Sequence, residues 1–237
     1  MWAAFKMIVT FAGLGIPAGL VLIPWTFLTK NIQPMYRVGK WVAATGLRAA
    51  GIRVQQHGRE NIPDRPAVFV PNHVSNLDPP IMVTLLPGTP SIMLKAELLK
   101  IPVLGKAWQM AKYVPVYREG GREAAVRTAR YAADVIRSGL SMLIFAEGTR
   151  AKDGRLQPFK AGPFHLAQST GAPIVPVVIG GTESMMRKGS SRVYPGTASV
   201  TFLPPVDPAD FANRAELVAE VRRRMIAALP PSMQPVT

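Results

Sequence analysis

Cysteine is missing from all 237 residues, which excludes disulfides and thiolate-metal sites and leaves the compartment open. Acidic residues are scarce: 14 Asp and Glu stand against 28 Lys and Arg, a formal net charge of +14. That excess points to an anionic partner, whether a membrane surface, a nucleic acid or a phosphorylated substrate. Aromatic residues make up 8% of the chain and are sparse among the basic ones, where stacking on bases would need them, so a nucleic-acid partner is set aside. No Walker-type phosphate loop occurs. His, Asp and Glu do not cluster at ligand spacing, so the sequence implies no metal and no resident cofactor. A Gly-x-Ser-x-Gly elbow is also missing, which argues against a lipase or thioesterase. There is no internal repeat, and the 23 prolines fall between periodic segments rather than forming a linker.

What the chain does have is apolar mass, 48% of residues, ample for one domain with an appended segment. We place that segment at residues 1–50 and the main domain at 51–237. Met7 to Leu28 carries no charge over 22 residues, between Lys6 and Lys30. As one helix it would reach about 33 Å, enough for a hydrocarbon core of about 30 Å. Pro17 and Pro24 interrupt it, and interior prolines kink or break helices. A single span and a broken hairpin dipping into one leaflet both fit; a secretory signal lacks a small-residue cleavage site. Lys30, Arg37, Lys40 and Arg48 follow the run and outnumber the basic residues before it. The main domain is therefore expected on the cytoplasmic side of a membrane, of the bacterial inner-membrane type. Pro34 to Ala50 reads as a helix with Met35, Val38 and Val42 on one side and basic residues on another, either interfacial or packed on the core.

From Ile52 onward strands and helices alternate. Expected strands are Ile52–Gln56, Ala67–Val70, Ser91–Lys95, Tyr113–Tyr117, Leu140–Ala146, Ile174–Ile179 and, alternating as at a sheet edge, Thr197–Leu203. Expected helices are Pro79–Leu86, Arg122–Arg137 with Val126, Ala129, Ala133 and Ile136 inward, Gly162–Gln168, and Arg214–Leu229 with Leu217, Val221 and Ile226 inward. The rhythm predicts an α/β fold, a mainly parallel sheet covered by helices on both faces, behind an N-terminal hydrophobic membrane-associating helix.

Two polar blocks lie at predicted strand ends, where open α/β sheets place their sites. The first is Asn72-His73-Val74-Ser75-Asn76-Leu77-Asp78. His73 falls on a loop, and Asp78 reads as a helix N-cap with Pro79 at the first helical position. A turn between them would bring the carboxylate to one ring nitrogen and leave the other free as a base. The second block is Phe145-Ala146-Glu147-Gly148-Thr149-Arg150.

Asn-His-x4-Asp followed about seventy residues later by Phe-x-Glu-Gly-Thr-Arg resembles the glycerolipid acyltransferases, most of all the 1-acylglycerol-3-phosphate acyltransferases. Val114-Pro115-Val116-Tyr117-Arg118 and Ile174-Val175-Pro176-Val177-Val178-Ile179 fit the same family's pattern in the same order. The family's second block carries an Asp-Arg or similar pair where this chain has Tyr117-Arg118. The resemblance implies direct attack without an acyl-enzyme, with His73 as base and Asp78 holding it. Ser75 is then a free position, not a nucleophile.

Arg150 and Arg118 are the candidate phosphate clamps, because two parallel N–H groups suit a phosphate. Gly148 and Thr149 offer backbone and hydroxyl donors, and Lys160 adds charge beside the helix start at Gly162-Pro163. Glu147 either accepts a hydrogen bond from the acceptor's hydroxyl or pairs with Arg150. Lys95 is a weaker candidate, and His57 and His165 are read as structural. The expected reaction moves a fatty acyl chain from acyl-coenzyme A or acyl carrier protein to the sn-2 hydroxyl of 1-acyl-glycerol-3-phosphate, giving phosphatidic acid. The expected partners are therefore a lysophospholipid acceptor, that thioester donor and anionic membrane lipids. Glycerol-3-phosphate, another lysophospholipid or a lyso-aminolipid remain as acceptors, and a non-enzymatic basic membrane binder remains as a different class.

Overall fold

A computed structural model describes residues 2–117 and 119–235. Its centre is a seven-stranded sheet of β1 (Ile52–His57), β2 (Val68–Pro71), β3 (Ser91–Lys95), β4 (Val114–Val116), β5 (Met142–Leu143), β6 (Ile174–Gly180) and β7 (Gly196–Phe202). The spatial order is β1-β7-β6-β2-β5-β3-β4, with all neighbours parallel except β6 and β7. The helices are α1 (Trp2–Thr29), α2 (Gln33–Ala49), α3 (Asp78–Leu85), α4 (Leu104–Met110), α5 (Gly121–Arg137), α6 (Gly162–Thr170), α7 (Thr182–Met185) and α8 (Arg214–Ala228).

The apolar runs in β2 and β6 are continuous because both faces of the sheet are covered. Val68 and Val70 point into one core with Ile174 and Val178, under α5, α6 and α8. Phe69 points into the other with Val175, Val177 and Ile179, under α2, α3 and α7. β2 and β5 are neighbours, yet α3, which follows β2, and α6, which follows β5, cover opposite faces. That divergence opens a crevice at their carboxyl ends.

Three expectations are corrected. β7 is not an edge strand, since it lies between β1 and β6; its alternation reflects Ala198, Val200 and Phe202 entering one core while Thr197, Ser199 and Thr201 stay exposed or half-buried. On α5 the buried residues are Ala124, Ala132, Ala133, Val135 and Ile136, and Val126 is exposed. On α8 Met225, four residues beyond Val221, takes the deeply buried place expected of Ile226.

Despite Pro17 and Pro24, α1 is one 28-residue helix, about 42 Å at ~1.5 Å per residue. Among its residues Ala4 and Thr26 are buried, whereas Trp2, Ile8, Leu20, Val21, Trp25 and Leu28 are exposed. Its domain-facing stripe runs at four-residue spacing: Phe11 against Gly46, Gly15 against Val42, and Gly19 against Val103. α2 is more deeply committed, with Tyr36 and Leu47 in the core. Lys40 does not join a lipid-facing row. Its Nζ donates to the carbonyls of Leu86 and Gly88 at the end of α3, where a cation opposes the helix dipole.

Candidate active site

β2 ends at Pro71, and the chain turns out of the sheet through Asn72. The Asn72 side chain imitates a strand residue there: Nδ2 donates to the Ile179 carbonyl at 2.9 Å and Oδ1 accepts the Ile179 N–H at 2.7 Å. The loop is thereby fixed to the carboxyl end of β6. His73 follows, its ring tilted against Phe145 with centroids 4.1 Å apart and its side chain 16% exposed.

Asp78 opens α3 but does not cap it, which corrects the N-cap reading. Its carboxylate reaches backwards instead. Oδ2 accepts from His73 Nδ1 at 2.9 Å and from the N–H groups of Val74 and Ser75 at 2.8 Å each. Oδ1 accepts from the Thr182 hydroxyl at 2.7 Å. The side chain is fully buried, so these donors replace water around the anion. A carboxylate only accepts, so Nδ1 carries a proton, and in the neutral ring Nε2 holds the lone pair.

The second block folds onto the first. Glu147 is 3% exposed, and its Oε1 accepts the backbone N–H of His73 at 2.6 Å. Oε2 accepts the N–H of Gln157 at 3.0 Å. The His73 carbonyl in turn accepts from the Ala151 N–H at 2.8 Å, so both backbone groups of His73 are held by the Glu147–Ala151 loop. Burial pushes the Glu147 carboxyl up to about 7; the two amide donors pull the other way and the charge of Asp78 adds to the rise.

Glu147 therefore does not pair with Arg150, since its two oxygens serve backbone amides. Arg150 has one guanidinium nitrogen, Nη1, buried without a hydrogen-bond partner among the described residues. Its carbonyl accepts from Lys188 Nζ, a cation the sequence did not single out. Gly148 sits at φ +70°, a left-handed turn suited to glycine, and the Lys160 stem lies over it. The Lys160 N–H donates to the Ala146 carbonyl at 2.7 Å. Gly148 and Thr149 are exposed on the open side of this loop. Arg118 lies outside the described residues.

Ser75 is fully buried, its hydroxyl donating to the Met186 carbonyl at 2.9 Å and accepting from the Leu77 N–H at 3.3 Å. It is a structural tie. Lys95, His57 and His165 are exposed on β3, β1 and α6. Sequence reasoning missed Thr182. The available signal was its place just past Gly180-Gly181, at the carboxyl end of a third apolar strand.

Residues 53–180 match the profile of a family described as Acyltransferase. The chain is 33% identical to a 1-acyl-sn-glycerol-3-phosphate acyltransferase of Limnanthes douglasii, over 99% of this chain and 85% of that one. It is 29% identical to a protein of the same name from Cocos nucifera, over 92% of this chain and 70% of the relative. The crystal structure of the 1-acyl-sn-glycerophosphate (LPA) acyltransferase PlsC from Thermotoga maritima superposes with a TM-score of 0.82. That match has 27% identity and covers 95% of this chain and 94% of the other.

Proposed function

The chain belongs to the acyltransferase family, and from that premise we propose that it acylates the sn-2 hydroxyl of 1-acyl-glycerol-3-phosphate, giving phosphatidic acid. The observation that carries the chemistry is the 2.9 Å contact between His73 Nδ1 and the buried Asp78 carboxylate. Nε2 takes the proton of the acceptor hydroxyl as its oxygen attacks the thioester carbonyl. The tetrahedral intermediate collapses by expelling the thiolate, which the imidazolium protonates. A base so placed contributes about 10²–10⁴ in rate. Asp78 holds the tautomer, and Glu147 holds the backbone that carries the ring.

The buried, unpartnered Nη1 supports Arg150 as the phosphate ligand, because an arginine nitrogen without acceptor is costly unless an anion completes it. Gly148, Thr149, Lys160 and Arg118 are assigned the same phosphate by their positions in the sequence blocks. The donor is acyl-coenzyme A or acyl carrier protein, both anionic and both suited to a chain of net charge +14.

Residues 1–50 act as the membrane-associating unit and 51–237 carry the reaction. α1 meets the domain along a single stripe, which favours a helix lying within one leaflet over one leading away from the domain. Lys30, Arg37 and Arg48 favour anionic lipid on the cytoplasmic side, as on a bacterial inner membrane.

The test is purified protein in detergent, offered lysophosphatidate, glycerol-3-phosphate and other lysolipids with acyl-coenzyme A or acyl carrier protein thioester. Lysophosphatidate should be the preferred acceptor, with phosphatidic acid as product. Preference for an unphosphorylated lysolipid would overturn the assignment.

A further inference from the structure

The two oxygens of the Asp78 carboxylate are held unequally. Oδ2 takes three N–H groups, all from the loop at residues 73–75. Oδ1 takes one donor among the described residues, the Thr182 hydroxyl at 2.7 Å, from a segment 104 residues away in sequence. Both side chains are fully buried, and among the described residues no cation pairs with Asp78 apart from His73 when that ring is protonated.

The backbone is shaped to deliver that hydroxyl. β6 ends at Gly180, and Gly181 turns at φ +88°, where a Cβ would sit 2.5 Å from the Thr197 carbonyl oxygen. That turn starts α7 with Thr182 facing Asp78. Past the other end of α7, the Met186 carbonyl is tied to Ser75, within the histidine loop itself. The segment from Thr182 to Met186 is thus clamped at both ends against the residues that carry His73.

Resting on the reading of His73 as base and Asp78 as its orienter, we propose that Thr182 is a positioning residue, whose hydroxyl fixes the rotation of the Asp78 carboxylate and through it the aim of the His73 ring. The Cβ–Cγ torsion of an aspartate is broad, so pinning one oxygen leaves the other to swing. A donor on Oδ1 removes that freedom. It also stabilises the ionised form, which the acceptor role toward Nδ1–H requires.

Thr182→Val keeps the shape and removes the donor. Among the described residues the titratable groups facing Asp78 are His73 and Glu147. Losing a hydrogen bond to the anion raises the proton affinity of the coupled His–Asp pair. The acid limb of the kcat/KM profile should therefore move up by about half to one pH unit. At the optimum kcat should fall about tenfold, and KM for lysophosphatidate should change by less than about twofold.

Thr182→Ser keeps a hydroxyl and should restore both readouts, while Thr182→Cys, a weaker donor, should fall between them. The Ser and Cys variants keep the test open should the valine protein fail to fold. A valine variant with an unmoved limb and wild-type kcat would overturn the proposal, as would a serine variant as damaged as valine or a cysteine variant indistinguishable from wild type. His73→Ala, measured in parallel, separates two failures. Turnover within a few-fold of wild type in that variant defeats the dyad itself, whereas a His73→Ala protein slowed by about 10²-fold or more beside a wild-type-like Thr182→Val defeats the Thr182 role alone.

Discussion

Glu147 Oε1 accepts the backbone N–H of His73 at 2.6 Å, so the acidic residue of the Glu147–Arg150 block serves the histidine loop. This would let a carboxylate stand next to the phosphate site proposed for Arg150. Its oxygens face amides, and burial favours its neutral form.

That relationship predicts a pH signature in stability. The folded-state value of Glu147 is raised, from 4.5 to about 7, so its contribution is fully present below pH 4.5 and lost as pH rises through 7. The full span corresponds to at most about 3.5 kcal/mol. Glu220, held down to about 2 by hydrogen bonds from Arg223 and Arg224, loses its contribution only in more acidic solution. Thermal unfolding measured from pH 4.5 to 8 should show the Glu147 component, and Glu147→Gln should flatten it. Gln also presents an N–H to one of the two amides, so transfer should fall as well. An unchanged pH dependence in Glu147→Gln would refute this assignment.

Arg150→Lys tests the phosphate clamp. Lysine keeps the charge but lacks the planar fork, so loss of the charge-assisted contacts should cost about 1.5–3 kcal/mol, roughly ten- to hundredfold in efficiency. The loss should fall on lysophosphatidate far more than on its dephosphorylated monoacylglycerol counterpart. Equal losses on both acceptors would make Arg150 a structural residue.

Removing residues 1–30 should weaken membrane association while leaving a folded domain, because α1 buries few of its own residues. Removing residues 1–50 should also destabilise the domain, since Tyr36 and Leu47 leave the core with α2. Sedimentation with anionic vesicles and thermal unfolding of the two truncations distinguish these effects. Full vesicle binding by the shorter truncation would place the anchor elsewhere.

Ser75→Ala should retain most activity and lose about 1 kcal/mol of stability through the broken tie to Met186. A severe kinetic defect with a trapped acyl adduct would mean that Ser75 is a nucleophile.

Much of this architecture was legible in the sequence because its signals are local. Apolar runs of strand length mark β2 and β6, the expected strand Ser91–Lys95 has the bounds of β3, and the polar residues of both blocks stand out at strand ends. What escaped depends on contacts distant in sequence, on the path of a turn, or on an element too short to show a period. Lys40 looks lipid-facing until the end of α3 is placed beside it. Asp78 has the sequence context of a cap, and only the turn of residues 73–77 shows that its acceptors point backward. Thr182 carries no motif of its own and gains meaning from a partner 104 residues earlier. Four-residue α7 is too short for periodicity to reveal.

The central claim is that His73 removes the proton from the acceptor hydroxyl. It is tested most directly by following phosphatidic acid formed from lysophosphatidate and a labelled acyl thioester by His73→Ala protein. The variant must first be shown to melt as wild type does and to bind acceptor. The account predicts turnover lowered by about 10²–10⁴-fold, with acceptor affinity largely retained. Turnover within a few-fold of wild type would contradict it.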